Sequence, residues 1–128
     1  QAHEGYDDLM RDINAFLHRS IAIAAQAGIG PQHIIVDPGV GFAKSREDDI
    51  VCIRRLRELE ELSCPILLGT SRKSFIGKTL DLPADERLEG TAATVAIGIA
   101  NGADIVRVHD VKQIARVARM TDALVRDV

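Results

Sequence analysis

Tryptophan is absent from this 128-residue chain, and aromatic residues make up only 3% of it. Any core must therefore be aliphatic. The same scarcity removes the stacking surfaces of a nucleic-acid reader. With a net charge of -3 and no basic stripe, no nucleic-acid partner is expected. No run approaches the roughly 20 apolar residues of a membrane span, and the polar, acidic start lacks the features of a signal peptide. Cys52 and Cys64 are too few for a disulfide scaffold. They also lack the C-x-x-C spacing or neighbouring His pair of a zinc site. Both read as reduced packing residues of a cytoplasmic protein. The chain opens at Gln1 without a methionine, in a polar stretch, which reads as a cut or processed start.

What is present is ordinary in bulk and unusual in order. The hydrophobic share is 46% and the charged share 27%, and the length fits a single segment over residues 1–128. Three short apolar runs each end in reactive side chains. His33-Ile34-Ile35-Val36 leads into Asp37-Pro38-Gly39, and Pro65-Ile66-Leu67-Leu68 into Gly69-Thr70-Ser71-Arg72-Lys73-Ser74. Ile105-Val106 leads into Arg107-Val108-His109-Asp110. Continuous apolar strands indicate a sheet covered on both faces, the parallel α/β case. From Asp37 to Thr70 is 33 positions and from Thr70 to Arg107 is 37. Each step suits one βα unit. Right-handed crossovers put all the strand carboxyl ends on one rim, where α/β proteins bind ligands. Asp37, Lys73, Arg107 and His109 are expected to meet there.

Helices are expected around these strands. Residues 6–27 form the first, capped by Asp7 or Asp8, with Leu9, Ile13, Phe16, Leu17 and Ala24 on one stripe. Ser45 and Asp48 make a capping-box signature. The helix they open runs to about Leu62, with Ile50, Ile53, Leu56 and Leu59 inward. A short turn after Lys73 is expected to break at Gly77, and a short helix to start at Pro83. Thr91–Asn101 is apolar almost all round, which predicts complete burial or a subunit interface. The last strand is expected over 104–108. The final helix, Val111–Val128, carries Ile114, Val117, Ala118, Thr121 and Leu124 on one face. Three strands leave two open parallel edges, so self-association is expected.

The strand ends carry the chemistry. Lys73, Arg107 and His109, with the Ser74 hydroxyl at a helix start, make a site for phosphate or carboxylate. The competing reading of Lys73 is a solvated surface charge. Arg107 and His109 share a strand face about Val108. They either hold an anion between them, or Arg107 is bridged by Asp110 or Asp104. Asp37 either accepts N–H bonds from an amidine-like heterocycle, binds a metal, or caps its own turn. Gly39 and Gly41 allow tight turns and close ligand approach, with Phe42 as pocket wall or core plug. Gly69 to Ser74 lacks the second glycine of a P-loop, and Gly39-Val40-Gly41 lacks the third glycine of a dinucleotide fingerprint. His3, His18 and His33 read as surface or strand-start residues. A non-catalytic anion-binding or interaction module is the alternative that the short chain motivates. A complete flavodoxin-like domain would need five strands.

These same positions carry a resemblance. Asp37-Pro38-Gly39-Val40-Gly41-Phe42-Ala43-Lys44, Leu68 to Gly77, Glu86-Arg87-Leu88-Glu89-Gly90-Thr91 and Arg107-Val108-His109-Asp110-Val111 resemble the dihydropteroate synthase family in order and spacing. The resemblance implies the last three βα units, plus the preceding helix, of a TIM (β/α)8 barrel. It also implies a folate-pathway transferase joining 6-hydroxymethyl-7,8-dihydropterin pyrophosphate to p-aminobenzoate. Asp37 would then bind the pterin N–H edge, and Lys73 the pterin and aminobenzoate site. Ser74 would take the benzoate carboxylate, and Arg107 would stack on the pterin and hold pyrophosphate with His109. Phe42 would line the aminobenzoate pocket, with Gly41 and Gly69 lining the substrate site. The family resemblance further implies magnesium bound outside this segment, dimers through late barrel helices, and sulfonamides competing with p-aminobenzoate.

Overall fold

Parallel pairing sets the frame. The structure, a computed structural model, describes residues 8–42 and 44–126. Strand β1 (Leu67–Leu68) pairs in parallel with β2 (Ile105–Val106), Leu67 opposite Ile105 and Leu68 opposite Val106. On the other side of β1, Val36 makes a single parallel bridge to Ile66. Its amide donates to the Pro65 carbonyl at 2.9 Å, and the Leu67 amide donates to the Val36 carbonyl at 2.8 Å. Residues 36, 66–68 and 105–106 therefore run side by side in the same direction, and the residues that follow them share one rim. The expected strand over 33–36 is reduced to that bridge. Pro31–His33 instead forms a 3-10 turn started by the proline. Ile35 is exposed, with no described strand beside it. The last strand is likewise shorter than 104–108.

Helix α1 (Leu9–Gln26) starts at Asp8, whose carboxylate accepts the Arg11 N–H at 3.2 Å. It buries Leu9, Met10, Ile13 and Leu17. Phe16, expected on that stripe, is 59% exposed and borders an open cleft. The expected start at residues 6 and 7, the alternative cap Asp7, His3 and the last two residues of the final helix lie outside the described residues.

Helix α2 (Arg46–Arg54) opens with the expected capping box between Ser45 and Asp48. It does not reach Leu62. After Arg55 the chain tightens into a 3-10 segment, Leu56–Leu62. The reason is legible in the spacing. Leu56, Leu59 and Leu62 are three apart, so a helix of three residues per turn brings all of them inward. Helix α3 (Ser74–Leu80) passes straight through Gly77, correcting the expected break. A 3-10 turn, Ala84–Glu86, leads to α4 (Leu88–Ala100), which begins three residues before Thr91.

Helix α4 is not buried all round in this chain. Thr91, Val95, Gly98 and Ile99 face inward, while Ile97 is 52% exposed. Gly98 lies so close to Leu68 that a methyl group there would collide with it. Helix α5 (Val111–Val125) buries Ile114 and Thr121, but Leu124, expected inward, is 72% exposed.

The main core joins α1, α2, the 3-10 segment and the strands. Met10, Leu56 and Leu59 are fully buried, each contributing about 1.5–3 kcal/mol over exposure. A smaller cluster, Val95, Ile99 and Ile114, joins α4 to α5. Cys52 and Cys64 are buried free thiols. Burial pushes the Cys52 thiol up to about 12, which keeps it protonated and inert. Among the described residues no helix is long and apolar enough to cross a membrane.

Candidate functional site on the strand-end rim

Asp37 follows Val36 onto the rim, where it is exposed. Its Oδ1 accepts the Gly39 N–H at 2.8 Å, so the turn-capping reading holds for one oxygen. Gly39 and Gly41 adopt φ of 78° and 88°, left-handed values that glycine reaches without strain. Two residues that the sequence did not single out hold this loop. The Lys44 ammonium donates to the Gly39 carbonyl at 2.9 Å and the Phe42 carbonyl at 3.2 Å. Asp49 is buried beneath and accepts the Gly41 N–H at 2.8 Å. Desolvation raises the Asp49 pKa, with the Gly41 N–H, Lys44 and Lys73 acting against it. Asp49 directly follows the capping-box aspartate, and nothing in its spacing marks it as a loop anchor.

The loop meets the second strand end through Lys73. Its ammonium sits 4.3 Å from the centre of the Phe42 ring, a cation–π contact. Its stem crosses Gly41, where a Cβ would lie 2.9 Å from Lys73 Cδ. Gly41, Phe42 and Lys73 thus form one contact. Phe42 is 62% exposed, a wall and not a core plug. Ser74 begins α3 and is exposed.

Arg72 makes the turn that delivers Lys73. Its φ is 59°, a left-handed conformation costing roughly 1–2 kcal/mol in a residue with a side chain. Three neighbours hold it there. Its N–H donates to Thr91 Oγ1 at 3.1 Å, its carbonyl accepts Arg87 Nη1 at 2.9 Å, and its guanidinium pairs with Asp110 at 3.0 Å. Arg87 Nη1 also reaches the Lys73 carbonyl at 3.3 Å, and its Nε the Leu82 carbonyl at 3.0 Å.

The third strand end brings Arg107 over Gly69. A Cβ on Gly69 would lie 2.8 Å from Arg107 Nη2 and 3.3 Å from Cζ. A side chain on Gly69 would push the guanidinium off this position. The bridge expected from Asp110 or Asp104 is not formed. Asp110 pairs with Arg72. Asp104 accepts the Ile66 N–H at 3.0 Å and lies 3.9 Å from Arg126. Among the described residues, the Arg107 guanidinium has no ion pair. His109 is tied to the second strand end by Ser71, whose hydroxyl oxygen lies 2.7 Å from Nδ1 and accepts the His109 N–H at 3.1 Å.

The rim therefore carries the Asp37 carboxylate, the Lys73 ammonium on an aromatic wall, and the Arg107 guanidinium and His109 imidazole two residues apart on the third strand end. Such a set suits a flat polar heterocycle bearing an anionic group. A cleft of about 680 Å³ adjoins it on the α1 side, bordered by Phe16, Asp37, Phe42 and Lys44. Among the described residues no group of three or more His, Cys, Asp or Glu is placed to hold a metal.

Residues 1–109 match the family of pterin binding enzymes. The chain is 54% identical over 119 residues to the dihydropteroate synthase of Bacillus subtilis, covering 93% of this chain and 42% of that protein. It is 39% identical over 118 residues to the Escherichia coli dihydropteroate synthase, covering 92% and 42%. A Clostridium difficile dihydropteroate synthase, solved in the presence of pteroic acid, superposes with a TM-score of 0.93 at 53% identity, over 95% of this chain and 47% of that one. A Yersinia pestis dihydropteroate synthase, solved as a sulfonamide drug complex, gives 0.91 at 39%, over 93% and 43%. The chain belongs to the pterin binding enzyme family, and it spans less than half the length of these relatives.

Proposed function

We propose that this chain is the C-terminal portion of a dihydropteroate synthase, contributing the last three βα units and the preceding helix of a TIM barrel. The parallel register of residues 36, 66–68 and 105–106 supports that placement. The whole protein would act in the cytoplasm and join 6-hydroxymethyl-7,8-dihydropterin pyrophosphate to p-aminobenzoate. The carbon–oxygen bond at the pterin's hydroxymethyl carbon breaks, and its electron pair leaves on pyrophosphate. The aminobenzoate nitrogen then bonds to that carbon and loses a proton. Relatives solved with pteroic acid and with a sulfonamide drug support ligands of these two kinds.

The observation that carries this reading is Arg107 lying on Gly69 while both nearby carboxylates are engaged elsewhere. A planar cation left without an ion pair among the described residues is suited to an external anion. It can stack on a pterin and, with His109, stabilise charge as pyrophosphate departs. Asp37 takes the pterin N–H edge, beside Gly41 and Gly69. Lys73 contacts the pterin and the aminobenzoate site, which Phe42 walls, and Ser74 holds the benzoate carboxylate. The described residues do not offer a ligand set for magnesium. Magnesium, which the family resemblance implies, would bind outside this segment, and no step here passes through it. The exposed Ile97 and Leu124 on α4 and α5 support homodimer formation through late helices.

Calorimetry on the intact protein with a pterin pyrophosphate analogue tests the reading. Arg107→Ala should abolish measurable binding and turnover. Equal affinity in the variant, or binding of simple anions without pterin preference, overturns it in favour of a non-catalytic module.

A further inference from the structure

Ser71 and His109 make a contact that the proposed roles leave unused. They lie 38 residues apart and meet at the rim. Ser71 is buried, at 7% exposure, while the imidazole is exposed. The Ser71 oxygen already accepts the His109 backbone N–H at 3.1 Å, and it stands 2.7 Å from Nδ1 of the same residue. A hydroxyl has one proton to give and two lone pairs. In a neutral imidazole, two arrangements are possible. If Nδ1 carries the proton, it donates to Ser71, and the serine proton is left without an acceptor among the described residues. Stranding a buried donor is costly. If Ser71 donates to Nδ1, every group is satisfied and the ring proton sits on Nε2.

We propose that Ser71 is a positioning residue that fixes His109 as an Nε2–H donor, so that the ring offers the same donor to an anion in both charge states. When the imidazole is protonated, Nδ1–H turns to the second lone pair of Ser71, at the cost of leaving the serine proton without an acceptor, and Nε2–H stays where it was. Asp37, Lys44, Lys73, Arg107 and the Arg72–Asp110 pair are the charged groups around the rim. None of them contacts either ring nitrogen among the described residues. The ring is thus preorganised for an oxyanion such as pyrophosphate, whatever its protonation state. The ligand assignment rests on the function proposed above; the tautomer does not.

Nitrogen-15 NMR of the histidine rings in the intact protein tests this directly, because the chemical shifts separate protonated from unprotonated ring nitrogens. The expected spectrum has His109 Nε2 protonated and Nδ1 bare at high pH. Ser71→Ala should mix the tautomers and weaken binding of inorganic pyrophosphate by roughly tenfold, the scale of one charge-assisted hydrogen bond. Ser71→Thr, which keeps the hydroxyl, should restore both readouts. Protonated Nδ1 in the unmodified protein, or a ring spectrum unmoved by Ser71→Ala, overturns the proposal. Failure of pyrophosphate to bind the unmodified protein overturns the functional reading and the ligand assignment together. The ring spectrum reports on Ser71 independently.

Discussion

Arg87 is the residue whose removal should expose how the Lys73 turn is built. Its guanidinium donates to three carbonyls, those of Leu82, Arg72 and Lys73. It lies flat on Gly77 in α3, where the three atoms nearest to an added Cβ all belong to Arg87. Hydrogen bonds from a charged donor contribute about 1.5–3 kcal/mol each. The Arg72 carbonyl bond is exposed and the other two are part-buried, so water recovers a good share. Arg87→Ala should cost about 2–4 kcal/mol, of which roughly 1–2 kcal/mol is the left-handed Arg72 losing its clamp. Gly77→Ala should also destabilise, because its methyl group displaces the guanidinium. In the Arg87→Ala background the sign reverses. The obstruction is gone, and alanine in place of mid-helix glycine stabilises by about 0.5–1 kcal/mol. Urea unfolding of the intact protein and its three variants, with the slope checked for constancy, measures this cycle. Additive effects, or Gly77→Ala destabilising equally in both backgrounds, refute the reasoning.

Two further outcomes follow from the loops. Gly69→Ala places a methyl group 2.8 Å from Arg107 Nη2. It should weaken pyrophosphate binding by roughly tenfold, about 1.4 kcal/mol, and titration calorimetry reads it. The second outcome concerns Asp49. Its folded pKa is raised above the ordinary 3.8 by desolvation, so the folded state binds more protons than the unfolded one between those two values. Asp49 therefore opposes folding increasingly as pH rises from 3.8 through its folded pKa. Asp49→Asn keeps an acceptor for the Gly41 N–H and removes the charge. Its stability relative to the unmodified protein should be greatest at neutral pH and shrink on acidification, as followed by unfolding midpoints across pH.

Much of this architecture is written locally. The capping box at Ser45 and Asp48, the Asp8 cap and the Leu9–Ile13–Leu17 stripe depend on residues three or four apart, and each formed as the spacing predicts. The departures have equally local causes once neighbours are known. The apolar spacing from Leu56 to Leu62 is three, and the packing of three buried leucines favours the tighter helix over a continuous α-helix. Helix α3 runs through Gly77, where Arg87, ten residues on, occupies the space a side chain would take.

The sequence by itself determined that three apolar runs end in acid, amine, guanidinium and imidazole, and that helices return between them. Hydrophobic periodicity and turn chemistry act over a few residues, so both can be read from the chain. Tertiary structure decided the partners. Asp110 could serve Arg107 or Arg72 with equal chemical merit, and only the fold brings it to Arg72, 38 residues away. Asp104 turns to the Ile66 amide, Ser71 settles on the His109 ring, and Asp49 slips beneath Gly41. Charge pairing falls off steeply with distance, so which cation is left for a ligand is settled by packing across strands and not by the order of residues along them.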